Sequence, residues 1–391
     1  MTLKALIKKS KITYGLALVI RRAPYPFLAG WMRLCHRVLG VDQNKVYFSS
    51  FSGMLPNDNP RAVCDALHEA CPEAKIVFRV NRQGMAENTP KWIKKVPQRS
   101  LRALMEMATA RVIVKNTGMQ PWMRKFPDQY YIQTWHGDRG FKKIRFDLDP
   151  TSNRHLREAG YLDLMISGSR FGSDVYRTAF RFKGEIVECG CPRNDVLLEN
   201  PRDVADAMRR ELGIGSQTKV LLYAPTFRNS TTGSKFHAPL SLEKVKATLE
   251  KTTGEKWVCL SRGHVLNLGV QSDAWQDVSK YPDVNPLLLI SDMVISDYSS
   301  LAGDFMLLGR PAIFYQPDLD EYLSERGLYF DPDKSPLIVA HTEDELLAIL
   351  SGPIDGKKNC REVLEFFGCK ETGKAAGITA ARIVQQLKKP L

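Results

Sequence analysis

The chain lacks the short motifs that mark the commonest nucleotide, metal and hydrolase sites. Its 391 residues contain no Gly-x-Gly-x-x-Gly, no Gly-x-x-x-x-Gly-Lys-Ser/Thr and no Gly-x-Ser-x-Gly, which leaves a standard dinucleotide site, a P-loop and a nucleophile elbow without support. The eight cysteines include no Cys-x-x-Cys pair. Cys189 and Cys191 have no further ligand pair beside them, so we expect no metal site and interpret the cysteines as reduced thiols in packed interiors.

Long apolar runs are also missing near the N terminus. Residues 12–20 (ITYGLALVI) form a run of nine, whereas a helix that spans a bilayer needs about 20 residues. Arg21 and Arg22 close this run, and no convincing small-residue cleavage site follows. We therefore expect neither a membrane-spanning helix nor a secretory signal peptide.

Acidic residues are absent from the first forty positions, which carry eight of the lysines and arginines. In residues 3–11 the aliphatic side chains fall on one helical face and most lysines on the other. We predict that residues 1–42 form a basic amphipathic segment that contacts an anionic membrane surface. The alternative is an ordinary helix packed on the first domain with a solvated basic face. The net charge of +13 also favours anionic partners.

Short apolar runs alternate with helical patterns along the rest of the chain. The runs are rich in Val and Ile, which is typical of parallel strands covered on both faces. We predict strands at 45–50, 75–80, 111–115, 130–134, 162–167, 185–189, 219–224, 256–261, 293–296, 312–315 and 337–340. We predict helices at 60–70, 101–110, 201–212, 242–252, 299–308, 343–350 and 375–387.

This alternation comes in two blocks that separate near residues 195–218, and 391 residues suffice for two domains. We predict an α/β protein with two doubly wound domains, residues 43–200 and 201–391, that face a central cleft. Ligands of such sheets bind beyond the carboxyl ends of the strands. Motifs that directly follow predicted strands are therefore the candidate functional sites.

The first such motif is QTWHG, at the end of the strand 130–134. A neutral imidazole suits general-base catalysis near pH 7, so His136 is a candidate catalytic residue. Gly137 allows close approach of a ligand to the backbone, and Arg139, Lys142 and Lys143 are candidate phosphate ligands. A structural histidine packed beside a tryptophan is the alternative.

A second histidine repeats this arrangement in the other block. His264 follows the strand 256–261 in the sequence RGH, with Arg262 two residues before it. Each predicted domain would then supply one histidine to the cleft. Two histidines that both follow strand ends form a less accidental pattern than one, so we predict that His136 and His264 act together.

The third motif, ISDYSSLAGD, follows the strand 293–296. Ser299 is a plausible N-cap, and the backbone N–H groups of a helix start, with two hydroxyls, can bind phosphate. Asp304 lies four residues after Ser300 and shares its helical face. Helix capping alone explains Ser299 but not the additional presence of Asp297, Ser300 and Asp304.

Two further polar turns follow predicted strands. YAPTFR supplies Thr226 and Arg228, and GCPRND supplies Arg193 and Asn194. Each is compatible with an ordinary turn. Together they would add polar side chains to the same edge of the cleft.

The motifs QTWHG, CGCPRNDVL, LYAPTFR, RGHV, YPDVNPLLLISDMVISDYSSLAGDF and RPAIFYQPDLDEY occur in this order. Over about residues 43–350 the chain resembles the CDP-glycerol glycerophosphotransferase family, the enzymes of teichoic-acid priming and polymerisation and of related capsule synthesis. The resemblance implies a GT-B-like pair of Rossmann-like domains with CDP-glycerol or CDP-ribitol as donor. It implies a lipid-linked or polymeric glycan acceptor, CMP as product, no required cofactor, and a peripheral location on the cytoplasmic face of the membrane.

The resemblance also implies roles for the residues singled out above. His136 would deprotonate the acceptor hydroxyl, and His264 would bind the pyrophosphate as CMP leaves. The residues implied on the donor side are Arg262, Asp297, Ser299, Ser300, Asp304, Thr226 and Arg228. The residues expected to bind acceptor or phosphate are Gly137, Arg139, Lys142, Lys143, Arg193 and Asn194.

Two departures from the family pattern concern the donor and acceptor. The family commonly continues WHG as Thr-Pro-Leu-Lys-Lys, where this chain has DRGFKK, and a bulkier residue usually replaces Gly263.

The sequence leaves open the donor polyol, the acceptor, the oligomeric state, and whether the enzyme primes or polymerises. A GT-B nucleotide-sugar glycosyltransferase is the alternative enzyme. A nucleic-acid binder is disfavoured because the basic excess concentrates in the first forty residues rather than among aromatic residues.

Overall fold

The computed structural model describes residues 23–152, 158–226, 240–263 and 275–390. A first sheet of seven parallel strands has the order β3-β2-β1-β4-β5-β6-β7. Its strands are β1 Asp42–Ser49, β2 Lys75–Val80, β3 Lys94–Pro97, β4 Ala110–Lys115, β5 Tyr130–Gln133, β6 Leu164–Ser167 and β7 Glu185–Glu188. The order changes direction between β1 and β4, which is the switch point of a doubly wound sheet.

A second sheet of six parallel strands repeats this topology in the order β10-β9-β8-β11-β12-β13. Its strands are β8 Lys219–Tyr223, β9 Trp257–Ser261, β10 Trp275–Asp277, β11 Met293–Ser296, β12 Ala312–Tyr315 and β13 Ile338–Ala340. The switch point lies between β8 and β11. The strands β8, β11 and β12 each bury nearly all their side chains, as strands covered on both faces do.

Helices cover both faces of the two sheets. The α-helices of the described residues, in chain order from α1 to α15, are Tyr25–Leu39, Asp58–Ala70, Arg82–Ala86, Leu101–Ala108, Arg145–Leu148, Arg170–Ala179, Asp195–Glu199, Arg202–Leu212, Leu242–Thr253, Asn285–Ile290, Ser300–Phe305, Leu319–Arg326, Glu343–Leu350, Gly356–Phe366 and Ala375–Lys388. The predicted α/β class and the eleven predicted strands are confirmed. The strands β3 and β10 were not predicted.

The last helix does not stay with the second sheet. In α15, Ala380, Ile383 and Leu387 are buried in one core with Val46 of β1 and Val112 of β4. The helix starts where the Asp195 carboxylate accepts hydrogen bonds from two backbone N–H groups, at 3.0 and 2.7 Å. The predicted division at residue 201 is therefore wrong for the end of the chain, because α15 completes the core of the first domain.

The helix α1 packs on the first domain through Met32 and Cys35, and the Trp31 indole donates to the carbonyl of Leu101 at 3.0 Å. Its outer face leaves Phe27 and Val38 exposed by 63% and 69%. Residues 1–22 of the predicted basic segment lie outside the described residues. Among the helices that the structure describes, none is long and apolar enough to cross a membrane.

Candidate active site

The predicted site residues that the structure describes lie in the segments that follow β5 and β7 in the first sheet and β8, β9 and β11 in the second. They meet where Gly137 faces the start of α11. A Cβ atom built on Gly137 would lie 3.2 Å from the Ser300 hydroxyl oxygen, closer than nearly all real Cβ contacts. A side chain at position 137 would require the Ser300 hydroxyl to shift by a few tenths of an ångström. The structure thus brings the predicted histidine loop and the predicted serine-rich helix into contact across the cleft.

His136 is held in one orientation by a backbone carbonyl. Its Nδ1 lies 2.6 Å from the carbonyl oxygen of Asn116, which follows β4. Because a carbonyl can only accept, Nδ1 carries the proton and neutral His136 keeps its lone pair on Nε2. The Trp135 ring lies 4.3 Å and the Phe51 ring 5.4 Å from the imidazole. Burial lowers the pKa of His136 below its ordinary value, which favours the neutral, basic form.

The turn before His136 is strained and firmly held. Trp135 has a φ of +50°, a left-handed conformation that costs a bulky residue about 1–3 kcal/mol. The Asn59 amide donates to the carbonyls of Thr134 and Trp135 at 3.2 and 3.0 Å, and the Gln133 side chain accepts from the Trp135 N–H at 3.0 Å. These bonds hold the turn that places His136 beyond the end of β5.

Four predicted site residues lie instead in a buried network of charges beneath the cleft. The Arg139 guanidinium is 2.7 Å from Asp304 and 2.9 Å from Glu371, and Arg193 is 2.7 Å from the other oxygen of Asp304. The Asn194 amide donates to both Asp304 and Glu371. Burial alone would raise the pKa of Asp304, but the adjacent guanidiniums of Arg193 and Arg139 hold it below its ordinary value.

This network corrects the expected phosphate contacts. Arg139 is only 1% exposed, and its guanidinium is occupied by carboxylates that link loops from both sheets. The expectation that Arg139, Arg193 and Asn194 bind phosphate or acceptor does not fit these contacts, nor does the donor-side role that the resemblance implies for Asp304. Removing one member would leave buried charge uncompensated, which costs about 3–5 kcal/mol.

Lys142 and Lys143 keep their side chains exposed. Their backbone crosses to the second domain, where the N–H of Lys143 donates to the carbonyl of Gly327 at 3.0 Å. The preceding Phe141 is buried in the core beneath β12 and α11. The loop after His136 therefore joins the two domains and presents its lysines at the surface.

On the second sheet, Asp297 shapes the loop after β8. Its carboxylate accepts from the backbone N–H of Thr226 at 2.9 Å, from the Thr226 hydroxyl at 2.6 Å and from the N–H of Tyr298 at 2.5 Å. Asp297 thus orients neighbouring groups. Ser299 caps α11, since its hydroxyl accepts from the N–H of Leu301 at 3.3 Å. Ser299 and Ser300 are half-buried at the cleft.

Arg262 follows β9, and its guanidinium donates to the carbonyl of Tyr281 at 2.8 Å. Burial lowers the pKa of the Arg262 guanidinium, and the negative charge of Asp283 partly offsets this effect.

His264 and Arg228 lie outside the described residues, so the structure gives no position for the second predicted histidine. Asp58, Asn59, Asn116 and Glu371 are the site residues that sequence reasoning missed. Asn116 directly follows a predicted strand, which is the signal that marks it.

A cavity of about 1020 Å³ opens between the domains next to Asp58 and Arg193, at the upper end of the size range of small-molecule sites. Neither His136 nor Ser300 is among its lining residues. Its walls come from residues 55–58, the length of α2, residues 87–89, the turn after β7 with α7, the start of α15, and Pro282, Asp283 and Asn285. Within the described ranges, no group of three or more His, Cys, Asp or Glu side chains is arranged to hold a metal ion.

Two Rossmann-like sheets, with the His136 imidazole on one side of the cleft and a serine-capped helix on the other, define a protein of the GT-B-like class. A family model described as CDP-Glycerol:Poly(glycerophosphate) glycerophosphotransferase matches residues 31–387. The chain belongs to this family, and the resemblance seen in its motifs is confirmed.

Similar relatives and solved structures agree with this membership. The teichoic acid poly(glycerol phosphate) polymerase of Bacillus subtilis (strain 168) is 33% identical over 79% of this chain and 44% of its own length. The protein of the same name from Bacillus spizizenii is 32% identical over 76% of this chain and 81% of its own length. The chain thus spans less than half of the first relative. The solved structure of the wall teichoic acid polymerase TagF is 27% identical, covers 99% of each chain and has a TM-score of 0.81.

Proposed function

We propose that the protein transfers glycerol phosphate, or a related polyol phosphate, from its CDP-activated donor to a hydroxyl of a membrane-linked or polymeric glycan of teichoic-acid type. CMP is the second product. The placement of His136 carries this proposal. Its protonated Nδ1 is fixed on a carbonyl, and its loop contacts Ser300 at the start of a helix of the other domain.

In this reaction the Nε2 of His136 removes the proton from the acceptor hydroxyl as its oxygen attacks the phosphorus next to the glycerol. The bond from that phosphorus to the bridging oxygen breaks, and the electrons leave with CMP. Phosphoryl transfer depends mainly on positioning and charge neutralisation. Ser299, Ser300 and Thr226 stand on the donor side of the cleft, and we assign Arg262 and His264 to the charge that develops on the leaving phosphate.

We further propose a peripheral location on the cytoplasmic face of the membrane. The exposed apolar residues Phe27 and Val38 share α1 with Arg33 and Arg37. An exposed apolar stripe flanked by arginines suits the surface of an anionic membrane. This location would place the cleft near a lipid-linked acceptor.

The assay measures CMP release from CDP-glycerol, CDP-ribitol and a nucleotide sugar, each with and without a membrane extract as acceptor. We expect acceptor-dependent CMP from one polyol donor, with EDTA without effect, and a loss of about 10²–10⁴-fold in His136→Gln. His68→Gln is the matched control, because His68 stacks on Trp92 away from the cleft. Turnover of the nucleotide sugar alone would establish the glycosyltransferase alternative and refute the proposed donor.

A further inference from the structure

Asn116, whose backbone carbonyl orients His136, is itself held through its side chain by a carboxylate at the start of α2. The Asn116 side-chain amide donates to Asp58 Oδ1 at 2.9 Å, and the Asn116 side-chain oxygen accepts from the N–H of Phe51 at 2.7 Å. Asn116 is fully buried. A chain of contacts therefore runs from Asp58 through Asn116 to the Nδ1 of His136.

Asp58 occupies its position at a backbone cost. It has a φ of +58° at the first residue of α2, and among residues other than glycine only Asn and Asp adopt this left-handed conformation readily. The other oxygen of Asp58 is 3.2 Å from the Arg193 guanidinium, whose second nitrogen is 2.7 Å from Asp304. The chain of contacts thus reaches α11, the helix that begins with Ser300.

The charged groups that face His136 are Asp58 from α2, Arg193 from the turn after β7, and Lys142 from its own loop. Asp58 is the negative charge among them. Its field favours the imidazolium that forms when His136 accepts a proton, while Arg193 and Lys142 oppose it.

We propose that Asp58 is a positioning residue that acts through Asn116 to fix the orientation and the basicity of His136. This inference rests on the proposed function, in which His136 is the base. The Arg193 guanidinium also holds the second oxygen of this carboxylate, which adds to the fixed position of Asp58.

Asp58→Asn tests the proposal with little disturbance of the backbone. Asparagine tolerates the left-handed conformation and keeps an oxygen for the Asn116 amide, so the change removes the charge. We expect the acidic limb of kcat/KM for CMP release to move down by about 0.5–1 pH unit, since nearby opposite charges shift a pKa by about 1–3 units. We expect kcat at neutral pH to fall several-fold, because a less basic imidazole is a weaker catalyst, while KM for the donor stays unchanged.

Asp42→Asn is the matched control. Asp42 stands at the amino end of β1, the opposite end from the cleft, and pairs with Lys75 at 2.9 Å. We expect its pH profile to equal that of the unchanged protein. If Asp58→Asn does not fold, Asn116→Ala interrupts the same chain from the other side, with the same predicted fall in kcat at constant KM.

A second measurement does not depend on catalysis. Selective ¹³C labelling of histidine, with the His136 signal assigned by its loss in His136→Gln, gives the pKa of His136 by NMR. A lower pKa in Asp58→Asn than in the unchanged protein supports the proposal even if no donor is turned over. An unchanged His136 pKa and an unchanged pH limb would refute it, whereas absence of CMP release in the unchanged protein would refute the proposed function instead.

Discussion

At the scale of single residues, the site depends on side chains that accept unusual backbone conformations. Trp135 and Asp58 both have positive φ angles, and both lie within two contacts of the His136 imidazole. Strained residues of this kind persist only where surrounding bonds hold them. Here those bonds come from Asn59 and Asn116, so asparagine amides maintain the geometry that the proposed base requires.

The pH dependence of activity follows from the burial of His136. Burial lowers its pKa below the ordinary 6.5, and only the neutral imidazole can accept a proton. Activity should therefore be retained from neutral pH down to a limb below pH 6.5, and be lost as the pH falls through the pKa of His136. The measurement is kcat/KM for CMP release between about pH 4.5 and pH 8. A limb above pH 6.5 would contradict this assignment of the base.

At the scale of elements, sequence periodicity predicted all the described strands except β3 and β10, each of which forms one edge of its sheet. β3 (KKVP) and β10 (WQD) are three or four residues long and mostly exposed, so neither an apolar run nor a strict alternation marks them. Long-range partners were also beyond prediction. Glu371 reaches Arg139 across 232 positions, and only the return of the chain to the first domain brings these charges together. Arg139 looked like a phosphate ligand because its buried partners were unknown.

The return of α15 to the first domain yields a stability prediction. Ile383→Ala should lower the free energy of unfolding by about 2–5 kcal/mol, because Ile383 is fully buried against β1 and β4. Ile378→Ala on the same helix is the control. Because Ile378 is 37% exposed, this substitution should lower the free energy of unfolding much less. Urea unfolding followed by fluorescence measures both. Equal losses in the two variants would mean that α15 does not contribute to the core as described.

At the scale of the whole molecule, the fold was largely readable and the site only partly so. Strand ends marked His136, Ser299 and Ser300, and the structure brings their loops together. The sequence misled for charged residues. Arg193 and Asp304 follow strands, as ligand-binding residues do, yet they form an ion pair with each other inside the protein. A charged residue at a strand end therefore indicates the cleft, but its partner decides whether it faces a ligand.

Membrane contact is also a property of the whole molecule. Because α1 packs on the first domain through Met32, deletion of the first forty residues would expose core, so substitution of its outer face is the sharper test. Phe27→Ser with Val38→Ser should reduce sedimentation with vesicles that contain anionic lipid. Leu323→Ser, at an exposed site of α12, serves as the control. Unchanged sedimentation of the double variant would contradict the proposed membrane contact through α1.

The path of the last helix also affects how the protein is made. Domains generally fold as units while the chain leaves the ribosome, the first before the second. Here the sheet that starts with β1 lacks part of its covering until Ile383 and Leu387 have emerged, after the whole second sheet has been synthesised. The first domain therefore leaves the ribosome with an open hydrophobic face, and ribosome-bound chains that stop before α15 should be more sensitive to protease and more dependent on chaperones than the finished protein.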